Sequence, residues 1–243
     1  MQEILSLLTL SSLPALANFA GGLLSEWLKP SKSFLNFALH AAAGIILAVV
    51  SVEVMPNALD MVPTLNLALA FIADGVLYLL NDAGIHHWQR NKLEGAGAKA
   101  WMVYVAVSAD LIGDGLLIGS GSAVSGQLAL LLALGQVLAD VPEGFSVLAN
   151  FRDKGVKRSK RLRLSASFVF PAAGSAFLAY FLLRNQPSMV KFTAMVFVAG
   201  LYSLAAVVDM LGEPMKALLI PAGQQSAFYW DMHSFYLFQG VLD

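Results

Sequence analysis

Two apolar stretches of this chain carry acids where acids are costly. The first reads Ser108-Ala-Asp110-Leu-Ile-Gly113-Asp114-Gly115, the second Ala139-Asp140-Val-Pro142-Glu143-Gly144, and no Lys, Arg or His occurs between Trp101 and Phe151. A charged side chain at the centre of a membrane helix costs about 2.5–3.5 kcal/mol on insertion scales, so four uncompensated carboxylates would cost on the order of 10–14 kcal/mol. Something positive must be bound, or some of the acids are protonated. Asp110 and Asp114 are four apart and share a helix face. Asp140 and Glu143 lie about 60° apart around a 3.6-residue helix, so both can border one cavity. Pro142 removes the hydrogen bond to the Leu138 carbonyl and kinks its helix, and Gly113 loosens the facing one. Hard oxygen donors of this kind suit a divalent cation. The chain has no cysteine, so thiolate ligation is excluded. The alternative is that the acids are protonated and pack against hydroxyls and neighbouring helices.

The elements that must position these acids follow from composition. Hydrophobic residues make up 58% of the 243 and charged residues 13%, about half the charge of an ordinary soluble domain, and mean hydropathy is +0.69. This excludes a soluble globular domain, a disordered chain and a nucleic-acid module, and predicts an all-α integral membrane protein. A span needs about 20 apolar residues. The apolar runs place spans 1 to 7 at 4–24, 34–55, 65–80, 101–119, 128–148, 164–183 and 189–211. An eighth, weaker run at 217–242 is either a span or an amphipathic surface segment. No signal peptide is evident, since Met-Gln-Glu precedes the first run.

Lys and Arg orient the spans. Thirteen fall in the loops after spans 1, 3, 5 and 7, seven of them between Arg152 and Arg163; only Arg184 and Lys191 fall on the other side. The basic loop 152–163 is therefore expected in the cytoplasm and the N-terminus outside, in the cell membrane. The same loop could hold lipid headgroups.

A repeat is also legible. Ala43-Gly44 precedes Glu53 by the spacing with which Ala199-Gly200 precedes Asp209, and Pro14-Ala15 and Pro171-Ala172 begin 30 and 29 residues before those glycines. Spans 1–3 and 6–8 thus read as two copies of one unit around a central pair, with opposite orientations, a transporter signature. The expected organisation is one transmembrane domain over 1–243: a first three-helix repeat (1–98), a central metal-binding pair (99–150), a basic loop (151–163) and a second repeat (164–243).

The two acidic segments resemble the paired metal motifs of the ZIP (Zrt/Irt-like) transporters, H-N-x-P-[ED]-G in span 4 and [HQ]-[DEN]-x-P-E-G in span 5. Asp110 to Gly115 takes the first place and Ala139 to Gly144 the second; span 2, from Ala43-Gly44 to Glu53-Val-Met-Pro56-Asn-Ala58, is similar to the family's span 2, and span 7 has a similar pattern. The resemblance implies eight spans arranged 3+2+3 with both termini outside, a metal site between spans 4 and 5, often a homodimer, and transport by sliding of spans 1, 4, 5 and 6 against the rest. It implies Asp114 and Glu143 as direct ligands; Asp140, on a different part of span 5, is expected either to support those ligands from behind or to hold the metal in transit. The cargo is a divalent metal, Zn²⁺ by the family pattern. Asp110, Leu111 and Gly113 stand where the family has His, Asn and Pro, Ala139 where it has His or Gln, and Phe170 precedes Pro171 where span 6 often has Glu. Loss of imidazole shifts preference toward Mn²⁺ or Fe²⁺, with Cd²⁺ also in range.

Further residues are expected along a metal path. Asn18 in span 1 offers an amide oxygen, and His40 and Glu53 lie in span 2, Glu53 near its outer end. His86 and His87 close span 3, where the family often has a His-rich stretch; the alternative is an interfacial cluster with Trp88. Asp74 in span 3 is expected to pair with a polar neighbour. No organic cofactor, nucleic-acid partner or enzyme activity is expected. Two other readings compete: a ZIP-like metal sensor or pseudo-transporter that no longer transports, and an intramembrane aspartyl protease. For the protease, Gly113-Asp114-Gly115 matches part of a G-x-G-D pattern, but Leu111 stands where a Gly is needed and no Tyr-Asp partner occurs.

Overall fold

In a computed structural model of the chain, the structure describes residues 2–28, 41, 44–45, 47–92 and 96–210; at 78–79, 81–92, 96–99 and 201–210 only the backbone is described. His40 and the eighth run lie outside the described residues, as do the side chains of His86, His87 and Asp209.

The described elements are all helical. They are α1 (Gln2–Ser25), a π-helical turn (Val50–Val54) running straight into α2 (Met55–Met61), α3 (Thr64–Lys92), α4 (Ala96–Val124), α5 (Gly126–Asp153), α6 (Arg158–Ala166), α7 (Val169–Leu183) and α8 (Ser188–Met210). Four stretches are long and apolar enough to cross a membrane: Gln2–Ser25, Ala100–Val124, Gly126–Asp153 and Arg158–Leu183; the apolar parts of α3 and α8, Thr64–Leu77 and Ser188–Gly200, are shorter.

Large apolar side chains face outward along these helices, among them Leu5, Leu16, Leu69, Leu138, Phe170 and Leu182, each more than half exposed. Asn18, Asp74, Asp114, Gln136 and Asp140 are buried. Water would not tolerate so much contiguous apolar surface on one chain. A bilayer would.

Local chemistry sets the ends of the central pair. Ser125 takes an extended conformation (φ −158°, ψ 151°) and its hydroxyl accepts a hydrogen bond from the Leu128 N–H, so one residue both ends α4 and caps α5. At the other end Gly155 adopts φ +72°. Its N–H bonds the Arg152 carbonyl and the Val156 N–H bonds the Phe151 carbonyl, a Schellman ending that favours glycine at this position.

Packing divides the chain into α1, α4, α5 and α7 on one side and α3 with α8 on the other; α1 lies chiefly on α5, α4 on α7, and α8 also touches α4. Lipid gives helices no hydrophobic reason to pair, so close backbone approach through small residues takes that role. A Cβ added at Gly144 would lie 1.8 Å from the Asn18 carbonyl oxygen, and one at Gly21 1.9 Å from that of Val141. Across α4 and α7, Gly115 and Gly119 meet the carbonyls of Ala172 and Ala176 at 2.1 and 2.2 Å in the same way.

The basic loop does more than orient the chain. Glu26, just past α1, accepts from Arg161 Nε and Nη2, each at 2.7 Å, and pairs with Arg158 at 3.3 Å. Arg152 donates to the Ser25 carbonyl at 3.0 Å. The bidentate Arg161 guanidinium holds the Glu26 carboxyl below its usual value of 4.5. A lowered native value means the pair's stabilisation is fully present above the unfolded value and fades as pH falls through the native one. Glu26→Gln is therefore expected to lose about 1.5–3 kcal/mol at neutral pH. Melting curves of the two proteins should converge as pH falls through the lowered native value of Glu26; a gap that persists in acid would show that the carboxylate charge is not what holds α1 to α6.

Candidate metal centre

Asp110 and Asp114 occupy successive turns of α4, and Asp140 faces them from α5. One carboxylate oxygen from each lies within 4.8 Å of the other two. Asp114 and Asp140 are buried and Asp110 is exposed. Two oxygens on one cation are at most twice the metal–oxygen distance apart, about 4.2–5.2 Å for bonds of 2.1–2.6 Å. The three side chains thus stand at a spacing one ion can bridge. Without an ion, each pair of like charges at this distance repels by about 3.5 kcal/mol at an effective dielectric of 20.

Glu143, three residues after Asp140 and half-buried, is close enough to interact with Asp140 and Asp110. The geometry thus draws Asp140 into the close group and sets Glu143 beside it. α5 runs unbroken through Pro142.

Asn18 is fully buried, and among the described residues neither atom of its amide has a hydrogen-bond partner. Its backbone abuts Gly144, which places it on α1 beside the turn that follows Asp140. Asp140 Oδ2 is likewise without a partner. Unmatched buried polar atoms are rare in folded proteins, and one of those found here, Asp140 Oδ2, belongs to the close group of carboxylates.

Glu53 lies apart from this group. It sits in the π-helical turn, its backbone carbonyl accepts from Asn57 Nδ2 at 2.6 Å, and it lines a cavity of about 200 Å³ with Asn57, Ser125, Gln127 and Phe192. Single π turns are frequent at functional sites, and nothing in the residue pattern of span 2 announced this one. Between cavity and carboxylates lies an apolar cluster that includes Leu10, Val50, Val54, Leu117, Ile118, Leu128 and Leu132. Asp74, expected to pair with a polar neighbour, is buried beside Gly200; among the described residues its Oδ2 has no hydrogen-bond partner.

No protein-family model matches the chain, and no curated protein matches it.

Proposed function

We propose that this protein carries a divalent metal cation across the membrane, toward the cytoplasm, through the carboxylates between α4 and α5. The observation that carries the reading is the convergence of Asp110, Asp114 and Asp140 within 4.8 Å, inside a helix pair that has no basic residue between Trp101 and Phe151. A divalent cation offsets two of these charges and supplies the missing partner for Asp140 Oδ2. The ligand set is all oxygen, which favours Mn²⁺ or Fe²⁺ over the Zn²⁺ of the family pattern; the resemblance of the two motifs supports a divalent metal as cargo. In this reading spans 1–3 and 6–8 form the 3+2+3 arrangement of inverted repeats, the basic loop faces the cytoplasm, and the assembly is a homodimer in the cell membrane.

The test is Mn²⁺ entry into proteoliposomes loaded with a metal-quenched dye. Wild-type protein is expected to admit Mn²⁺ well above protein-free vesicles, and Asp114→Ala to fall to the protein-free rate. Binding without entry would favour the sensor reading; neither would overturn the metal assignment.

A further inference from the structure

Of the basic residues in loop 152–163, Arg152 and Arg161 are tied to the end of α1, and Arg158 shares Glu26 with Arg161. Lys160 and Arg163 are exposed, and among the described residues no acid pairs with either. The buried side of α6 runs through Arg161 and Ser165. At about 100° per residue Arg163 stands opposite that side, with Ser159 and Lys160 about 40–60° to either side of it. Arg163 Nε donates to the Ser159 carbonyl at 3.2 Å, which lays the guanidinium back along this exposed face. The depth of the face follows from its aromatic neighbours. Trp101 is exposed and stacks on Tyr104 at 5.1 Å; Tyr104 stacks on Phe168 at 5.2 Å and its hydroxyl meets Ser167 Oγ at 2.9 Å. Trp and Tyr collect where headgroups meet hydrocarbon, so the α6–α7 junction lies at that boundary. Beyond it the outward side of α7 is apolar. Ala166, Phe170, Gly174 and Leu178 are all exposed, and they continue the line of Arg163. The bonds from the Ser167 N–H to the Arg163 carbonyl and from the Phe170 N–H to the Ser167 carbonyl carry the helix across the junction. Phe170 thus lies about 10 Å along the axis from Arg163 and within about 20° of the same direction. A Cβ added at Gly174 would meet nothing within 4 Å, so the stripe has an open notch between Phe170 and Leu178.

We propose that this face binds an anionic phospholipid, its phosphate held by Arg163 and Lys160 and one acyl chain lying along Ala166, Phe170 and Gly174. A guanidinium matches phosphate oxygens in pairs, and Lys160 adds a second positive charge on the same face. The cationic and apolar surfaces follow one another in the order of the two parts of a lipid, headgroup and then chain. A free phosphate would use only the first of them. The site does not depend on the metal reading.

The chain has no cysteine, so Ala166→Cys takes a single bimane label on the full-length protein. The probe is phosphatidylglycerol with brominated chains, which quench the label, in nanodiscs of equal parts phosphatidylglycerol and phosphatidylcholine. A matched preparation carries the bromine on phosphatidylcholine instead. Phosphatidylglycerol is expected to quench more strongly, and the ratio gives its preference for the site. Each basic residue at an anionic surface strengthens attachment about fivefold. Arg163→Gln or Lys160→Gln should therefore lower the preference about fivefold, and the double variant should abolish it. Equal quenching by the two lipids with Arg163 and Lys160 intact, or a preference that survives the double variant, overturns the proposal. If the double variant does not fold, Arg163→Lys decides: it keeps the charge and should keep most of the preference that Arg163→Gln loses, and equal preferences in the two overturn the role of Arg163. Inorganic phosphate that erases the preference, where chloride at equal ionic strength does not, assigns the face to a free anion and overturns the lipid.

Discussion

Asp140→Asn is expected to abolish the thermal stabilisation that Mn²⁺ gives the wild-type protein while raising the melting temperature of the metal-free protein. The two effects have one origin. Asp140 brings a third negative charge within 4.8 Å of Asp110 and Asp114, and without an ion that proximity destabilises the fold by about 3.5 kcal/mol per charged pair at an effective dielectric of 20. Asparagine has nearly the same shape and removes the repulsion. A bound cation reverses the balance. An ion that binds only the native state stabilises it by about 2.7 kcal/mol at a hundredfold excess over Kd, about 5–10 °C for a chain of this length. The neutral variant forfeits that gain. If the acids were protonated packing groups instead, Mn²⁺ would not shift the wild-type melting temperature, and Asp140→Asn would leave the metal-free protein unchanged or less stable. Differential scanning fluorimetry with and without Mn²⁺ separates the outcomes.

Gly144→Ala is expected to destabilise the protein by about 3 kcal/mol or more, at or above the usual range for overpacking. The new methyl would lie 1.8 Å from the Asn18 carbonyl oxygen. That oxygen belongs to the α1 backbone, so no side-chain rotation relieves the clash and the two helices must separate. Separation also pulls Asn18 away from the turn after Asp140, so metal-dependent stabilisation should weaken with the fold. Gly174→Ala is the control. It sits on α7 with nothing within 4 Å of the added carbon and should hold or gain stability, because alanine is the better helix former. Equal melting temperatures for the two variants would refute the close α1–α5 contact.

Much of the architecture was legible because lipid imposes a simple pattern. The runs at 4–24, 128–148 and 189–211 correspond to α1, α5 and α8 within a few residues. The run at 101–119 fell short because Ser120, Ser122 and Gly121 lower local hydropathy, yet α4 continues to Val124; Ser120 returns its hydroxyl to the Leu116 carbonyl. The run at 164–183 hid a change of helix at Ser167–Phe168, where α6 gives way to α7. At the site, residue type and spacing picked out Asp110, Asp114, Asp140 and Glu143, because charge in an apolar run stands out by itself. Gln136 did not stand out. A single amide in a long leucine-rich helix is unremarkable until its burial is known, and burial depends on which helices cover it. The contacts of Arg152, Arg158 and Arg161 with the end of α1 were hidden for the same reason: a basic cluster has the same composition whether it meets solvent, headgroups or Glu26.

The single residue between α4 and α5 also bears on how the protein is made. Synthesis delivers Asp110 and Asp114 first, and Asp140 follows twenty-six residues after Asp114, about 1–5 s later at ordinary elongation rates. During that interval α4 is a poor candidate for release into the bilayer, since each of its acids penalises partition into hydrocarbon by about 2.5–3.5 kcal/mol. Ser125 turns the chain at once, so α5 emerges antiparallel to α4 and offers Leu130, Leu134 and Leu138 to the lipid while Asp140 faces the partner helix. Insertion of the two helices as one hairpin would bring Asp114 and Asp140 together before either helix meets hydrocarbon alone.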